Sequence, residues 1–267
     1  MTMNVLSTLL LLALFFVPLE RLLARRPQPI FRRGFLSDII FWLFNGYVFA
    51  LFLGMLLVGV TMAASWLVPI WVREAVASQA YWIQTAEIVV IADIGVYFAH
   101  RMFHTVPWLW RFHAIHHSTE ELDWLSTARV HPVDQFVTRG CALLPVFALG
   151  FSEIAVGAYG LLYTWQAFFI HSNVRINFGP LRWLLASPEF HHWHHSSDRE
   201  ARDRNFAAQL PLLDFLFGTL YMPRGGRKPS AFGLDQPIPA SYPAQLVYPF
   251  RSAPEQRPLN TELSSAP

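Results

Sequence analysis

The sequence predicts an all-α fold: a polytopic transmembrane helical bundle with a histidine-rich cap facing the cytosol. Three observations predict it. The 267 residues are 54% hydrophobic and only 14% charged, with a mean hydropathy of +0.32, against roughly 25% charged in soluble domains. The apolar residues fall in long uncharged runs. All eleven histidines lie between positions 100 and 195, with none in the 99 residues before or the 72 after.

Taken in order, residues 3–19 carry no charge and form a first span, at the short end of the roughly 17–25 residues that cross a bilayer. Glu20 and five arginines follow, Arg21, Arg25, Arg26, Arg32 and Arg33. The start of the chain has no basic n-region or small-residue cleavage site, so this span is expected to be retained. A second uncharged run, residues 39–68, is long enough to cross with tilt or as a tight hairpin. After Arg73 and Glu74, a third run from 88 to 99 is interrupted only by Asp93 and leads into His100. Apolar segments at about 136–151 and 154–171, joined by Gly150-Phe151-Ser152-Glu153, predict a helical hairpin. From about 173 the chain is polar with short apolar pieces. Its last forty residues are proline-rich and predict an extended, wrapping tail. The expected division is residues 1–87 as N-terminal transmembrane helices, 88–224 as the catalytic part and 225–267 as the tail.

Cytoplasmic loops collect Lys and Arg. With the N-terminus outside, the first span delivers Arg21–Arg33 to the cytoplasm, the second goes out and the third returns at His100. Arg73 is then the lone basic residue outside, and every histidine lies at the cytoplasmic face. Nineteen of the twenty basic residues are Arg, spread along the chain, and the net charge is only +2. That pattern suits a membrane surface and argues against nucleic acid as a partner. Cys141 is alone, so no intrachain disulfide forms, and its place in an apolar run predicts a small packing residue.

Imidazole is the commonest protein metal ligand, and residues three and four apart share one helix face. His100/His104, His113/His116/His117 and His191/His194/His195 would each present a comb of rings, too many for one ion. Two metals with four or five nitrogens each use them all. Imidazole suits Zn, Cu, Fe and Ni alike, so ligand type does not choose the metal. A zinc hydrolase of the His-Glu-x-x-His kind needs a glutamate after the first histidine. Arg101, Ala114 and His192 stand there instead. A pair of redox metals using O2 on a lipid C–H bond fits better.

The motifs His100-x-x-x-His104, His113-x-x-His116-His117, Arg129-x-His131-Pro132, His171-Ser172-Asn173 and His191-x-x-His194-His195 occur in the order of the fatty acid hydroxylase/sterol desaturase superfamily. Asn205-Phe206 and the run from Leu213 to Tyr221 resemble that family's C-terminal segment. The resemblance covers about residues 88–224. It implies an integral-membrane non-haem di-iron oxygenase that hydroxylates or desaturates lipids, sterols or similar apolar substrates with O2 and two external electrons. By this resemblance His100, His104, His113, His116, His117, His171, His191, His194 and His195 are iron ligands. His131 is either a tenth ligand or a donor behind one, and His192 a rim residue. The family often has a second histidine four residues before the equivalent of His171. Ala167 stands there, leaving Asn173 or His131 to fill the gap.

An ionisable group inside a span is costly and usually has a partner. Asp93, seven residues before His100, is expected either to orient a ligand imidazole or to pair with Gln84 or Tyr97. Glu121, Asp123, Asp134 and Asp198 are expected as caps or salt-bridge partners. Arg101 and Arg111 would meet headgroups or those carboxylates. Trp108, Trp110, Trp124, Trp165, Trp183 and Trp193 suggest an interfacial belt. No flavin fingerprint or fused cytochrome-like segment is evident, so electrons are expected from a separate reductase, ferredoxin or cytochrome. The rival readings are a zinc-dependent membrane hydrolase and a non-enzymatic metal transporter or sensor.

Overall fold

The computed structural model describes residues 4–251 apart from Asn177 and Arg224, so residues 252–267 of the expected tail lie outside the described residues. The described residues are helical, with two isolated β-bridges and no strands. Three helical stretches are long and apolar enough to cross a membrane: Val5–Leu22, Phe35–Ala64 and Tyr81–Thr105. The first is α1 (Val5–Leu22), begun where the Asn4 side chain accepts the Ser7 N–H. The second is one rod rather than a hairpin. α2 (Phe35–Phe44) passes through a π-turn at Asn45–Phe49 into α3 (Ala50–Leu67), because no glycine–proline break interrupts the apolar run. After the short α4 (Ile70–Ala77), α5 (Tyr81–Thr105) runs for 25 residues, longer than the run 88–99 alone suggests. It ends before Pro107, which starts α6 (Pro107–His117).

The expected hairpin forms as α7 (Pro132–Leu149) and α8 (Glu153–His171). Gly150 closes α7 in a left-handed conformation, φ 78°, and the Ser152 hydroxyl caps α8. Glycine takes that conformation at no steric cost. The remaining helices are α9 (Pro188–His194), α10 (Leu212–Leu216) and α11 (Tyr242–Val247).

α5 is the axis of the bundle and packs against α6, α7 and α8. Ile88, Ala92 and Val96 meet Ala142, Val146, Ala155 and Tyr159 in a buried apolar layer. A side chain at Gly95 would place its Cβ 2.3 Å from the Cys141 carbonyl oxygen, so α5 and α7 cross this closely because residue 95 is glycine. The expected packing role of Cys141 falls to its backbone, since the thiol is exposed.

Buried charge joins the N-terminal helices to the cap. Glu20 of α1 accepts the N–H groups of Trp124 and Asn173, both at 2.8 Å. Arg32 donates to Asp38 (2.7 Å) and Asp123 (2.6 Å), and Arg129 donates to Asp38 (2.6 Å). Asp123 also caps the turn at Trp124–Ala128. The tail returns onto the cap as expected of a wrapping segment, its Leu234, Ile238, Tyr242 and Leu246 packing near Phe41, Ala114 and Ile115. The belt expectation is corrected for two tryptophans: Trp193 is fully buried and Trp124 nearly so, whereas Trp108, Trp165 and Trp183 are exposed.

Candidate metal centre

Four helices deliver nine imidazoles to one volume. α5 ends on His100 and His104, α6 presents His113, His116 and His117 from its last turns, and α8 ends on His171. α9, capped by the Ser187 hydroxyl and opened by Pro188, carries His191 and His194 with His195 at its end. The rings form two groups, His100/His104/His113/His117/His194 and His116/His171/His191/His195, with the candidate ligand atoms of each group within 4.8 Å of one another. The groups adjoin: the rings of His117 and His195, one from each, have centroids 4.5 Å apart.

The outer nitrogens fix which way most rings face. Nδ1 of His100 donates to the Phe206 carbonyl (2.8 Å), that of His116 to Arg129 (3.1 Å), that of His171 to Ala167 (2.7 Å) and that of His194 to Arg204 (2.8 Å). Nδ1 of His113 meets the Asp134 carboxylate (2.7 Å) and that of His104 meets Asp203 (3.1 Å). These oxygens only accept, so Nδ1 carries the proton and Nε2 of the neutral ring keeps its lone pair. Burial, reinforced by neighbouring rings, holds His113, His116, His117, His191, His194 and His195 well below the ordinary value of 6.5, so they are neutral near pH 7.

Lone pairs therefore face lone pairs. Nε2 of His100 lies 3.0 Å from Nε2 of His113, and Nε2 of His116 lies 3.1 Å from Nε2 of His171. Neither member of either pair has a proton to donate, and one such pair occurs in each group. Nitrogens bound to one ion at about 2.0–2.1 Å stand about 3 Å apart. Nε2 of His104 is buried without a hydrogen-bond partner among the described residues, in the same group. The donor set fits two cations.

The other sequence-predicted residues lie elsewhere. His131 is outside both groups: its Nδ1 accepts the Val133 N–H and its Nε2 donates to the Leu246 carbonyl, which uses both nitrogens and caps α7. Asp93 touches no imidazole, and neither does it pair with Gln84 or Tyr97. Its carboxylate accepts the N–H groups of Ala208, Gln209 and Leu210. Asn173 is spent on both the N–H and the carbonyl of Arg26. His192 is not on the rim but fully buried, its Nε2 donating to the carbonyls of His171 and Ser172. Burial and the nearby Arg25 push it down to about 3. Asp198 accepts the Ser230 N–H, and Arg111 donates to the Arg251 carbonyl.

Asp134 is an ion-pair partner as expected, with the His113 imidazole as its partner; Asp203, behind His104, is the residue the sequence did not point to. Asp203 and Asn205 both have positive φ, 53° and 60°, a conformation in which Asp and Asn are enriched. They bracket Arg204, and this turn presents the Arg204 and Phe206 carbonyls to His194 and His100. The Asp203-Arg204-Asn205 run was the available signal. Asn205 locks the turn through Phe190 and Tyr221.

Residues 85–219 match the family described as fatty acid hydroxylase. The chain is similar to ornithine lipid hydroxylase OlsE of Rhizobium tropici, 33% identical over 163 residues, or 60% of this chain and 48% of that protein. It is also similar to alkylglycerol monooxygenase of Homo sapiens, 35% identical over 158 residues, 58% of this chain and 34% of that one. Very-long-chain aldehyde decarbonylase GL1-6 of Oryza sativa subsp. indica is 28% identical over 163 residues, 54% of this chain and 25% of that protein. The matched region thus spans about half of the first relative, about a third of the second and a quarter of the third. No solved structure matches the chain.

Proposed function

This chain belongs to the fatty acid hydroxylase family, and from that premise we propose that it is a membrane-bound, non-haem di-iron oxygenase that hydroxylates an aliphatic lipid. One atom of O2 enters a C–H bond, the other leaves as water, and two electrons and two protons are consumed. The observation that carries this reading is the pair of opposed Nε2 lone pairs, one in each imidazole group. The names of the relatives, a hydroxylase of ornithine lipid and a monooxygenase of alkylglycerol, favour hydroxylation of a lipid with a polar head.

Iron bound at the two groups would supply the activation of O2. The chain's own residues do the rest. The five rings His100, His104, His113, His117 and His194 would hold one ion, and His116, His171, His191 and His195 the other. Asp134 and Asp203 orient His113 and His104 and offset positive charge at the five-ring group, as carboxylates behind ligand histidines do. Burial of the rings excludes water from the centre. Both carboxylates are engaged with imidazoles, so neither is poised as the general base that a zinc hydrolase needs. Electrons come from a separate donor, a reductase, ferredoxin or cytochrome. The arginines at 21–33 support a cytoplasmic placement of the centre by charge bias.

The division at 87/88 and 224/225 belongs to the same proposal, with the first and last parts serving as struts of the middle one through Glu20, Arg32 and Leu246. The test is turnover in vesicles containing ornithine lipid or alkylglycerol, with a reductant and 18O2. One 18O atom in the product lipid is expected. Hydrolysis of the lipid without O2 would overturn the reading.

A further inference from the structure

Two short pieces of the cap expose apolar side chains that no folding role explains. The turn at Gly179–Trp183 and the residues after it present Leu181, Trp183 and Leu184, the last 52% exposed. α10 turns Leu213 and Asp214 inward, where Asp214 accepts the N–H groups of Phe206 and Ala207 and the Thr219 hydroxyl. Its other face presents Phe215 and Leu216, each 64% exposed. The two pieces are joined, since the Ala186 N–H donates to the Gln209 carbonyl. By contrast, no large apolar side chain is exposed between 109 and 135 or between 186 and 211.

We infer that these two pieces form a collar embedded in the lipid monolayer, which seats the α9 limb of the metal centre on the bilayer surface. Continuity supports a lipid occupant. Phe217 stacks on Tyr97 of α5 and meets the ring of Phe98 edge-on, both at 5.1 Å. Phe98 is exposed on the same α5 face as Ile94 and Met102, so the outer apolar surface of the span passes directly into that of α10. The other piece is held to α8 by Gln166, which donates to the Ala186 carbonyl at 2.6 Å, beside the exposed Trp165. Contiguous apolar surface of this kind is rare on water-exposed monomers. An outward tryptophan beside Arg182, whose guanidinium lies 5.2 Å from the Trp183 ring, suits the headgroup zone, where aromatic rings and cationic side chains sit together. The pieces bracket α9 in sequence, so His191, His194 and His195 would be positioned by the membrane as well as by protein.

The inference rests on the membrane-spanning reading of α5 and not on the oxidation chemistry. The test uses the full chain in nanodiscs of phosphatidylcholine and phosphatidylglycerol, with Cys141→Ser as background and an environment-sensitive fluorophore on single cysteines. Leu184→Cys and Leu216→Cys report the collar, Val90→Cys the span and Glu200→Cys the water-facing side of the cap. Labels at 184 and 216 should lose most of their emission to brominated lipid, as at 90, and be unaffected by iodide. Iodide quenching at 184 and 216 equal to that at 200 would overturn the collar. Protection from both quenchers, as a second copy of the chain would give, would overturn it too. Failure of the label at 90 to respond to brominated lipid would instead remove the spanning reading on which it stands.

Discussion

At the scale of single residues, tautomer separates a candidate ligand from a bystander where sequence cannot. His116 and His131 both sit in histidine motifs, but Nδ1 of His116 donates to a carbonyl and frees Nε2, whereas both nitrogens of His131 are spent on backbone. His116→Ala is therefore expected to lose metal from the four-ring group, while His131→Ala keeps full metal content at reduced stability; elemental analysis of the two variants checks this. Asp134→Asn keeps the shape but puts a neutral group behind His113, and partners of this kind typically contribute about 10–100-fold in metal affinity. Competition with a chelator should show a loss of that order. Spacing along a helix made eight of the nine ring positions legible, and the family resemblance supplied the ninth, His171. The oxygens behind them were not, because four are backbone carbonyls whose direction depends on turns such as 203–205 that carry no periodic signal. Asp93 shows the same limit: its helix position was clear, but the three N–H groups it satisfies lie more than 110 residues away.

At the scale of elements, two junctions set the geometry of the centre. The first is the crossing of α5, which ends on His100 and His104, with α7, which carries Asp134. Gly95→Ala would drive a methyl group into the Cys141 carbonyl, and overpacking of this kind costs about 1–3 kcal/mol. A lowered melting temperature with reduced metal retention is expected by thermal unfolding in detergent. The second is the buried Arg32–Asp38–Arg129 set, whose Arg129 carbonyl holds His116. Asp38→Ala strands the buried Arg129 guanidinium and leaves Arg32 with Asp123 alone as its carboxylate partner, and breaking such a set by removing one partner costs about 3–5 kcal/mol. Poor recovery of folded protein is expected, with Asp38→Asn recovering part of it through its remaining acceptor oxygen. The apolar runs and the glycine-serine turn at 150–152 made the helices visible in the sequence. The continuity of α2 into α3 was not visible, since an uncharged run suits a tilted rod or a hairpin equally by composition. Nor was the pairing of residues 20–38 with 118–129, because each charged residue reads as an ordinary surface group until the fold brings them together.

At the scale of the whole molecule, three segments distant in sequence converge on one volume. The N-terminal helices hold the cap by buried charge, the α5–α8 core carries most of the rings, and the returning tail covers α6 and the start of α7. Neutral, buried imidazoles facing one another lone pair to lone pair are a poor resting arrangement for a folded chain and a good one for cations. Removal of metal should accordingly destabilise the protein far more than any single ring substitution outside the two groups. The overall architecture was legible from charge and hydropathy because the bilayer demands helices of a set length. The division of nine rings into five and four was not, since it depends on how α6 splits its histidines between two neighbours. Elemental analysis of the purified full chain tests the central claim most directly. Two irons per chain are predicted, falling to one when His116 is replaced; two zincs without iron, or an iron content unchanged in that variant, would contradict the account.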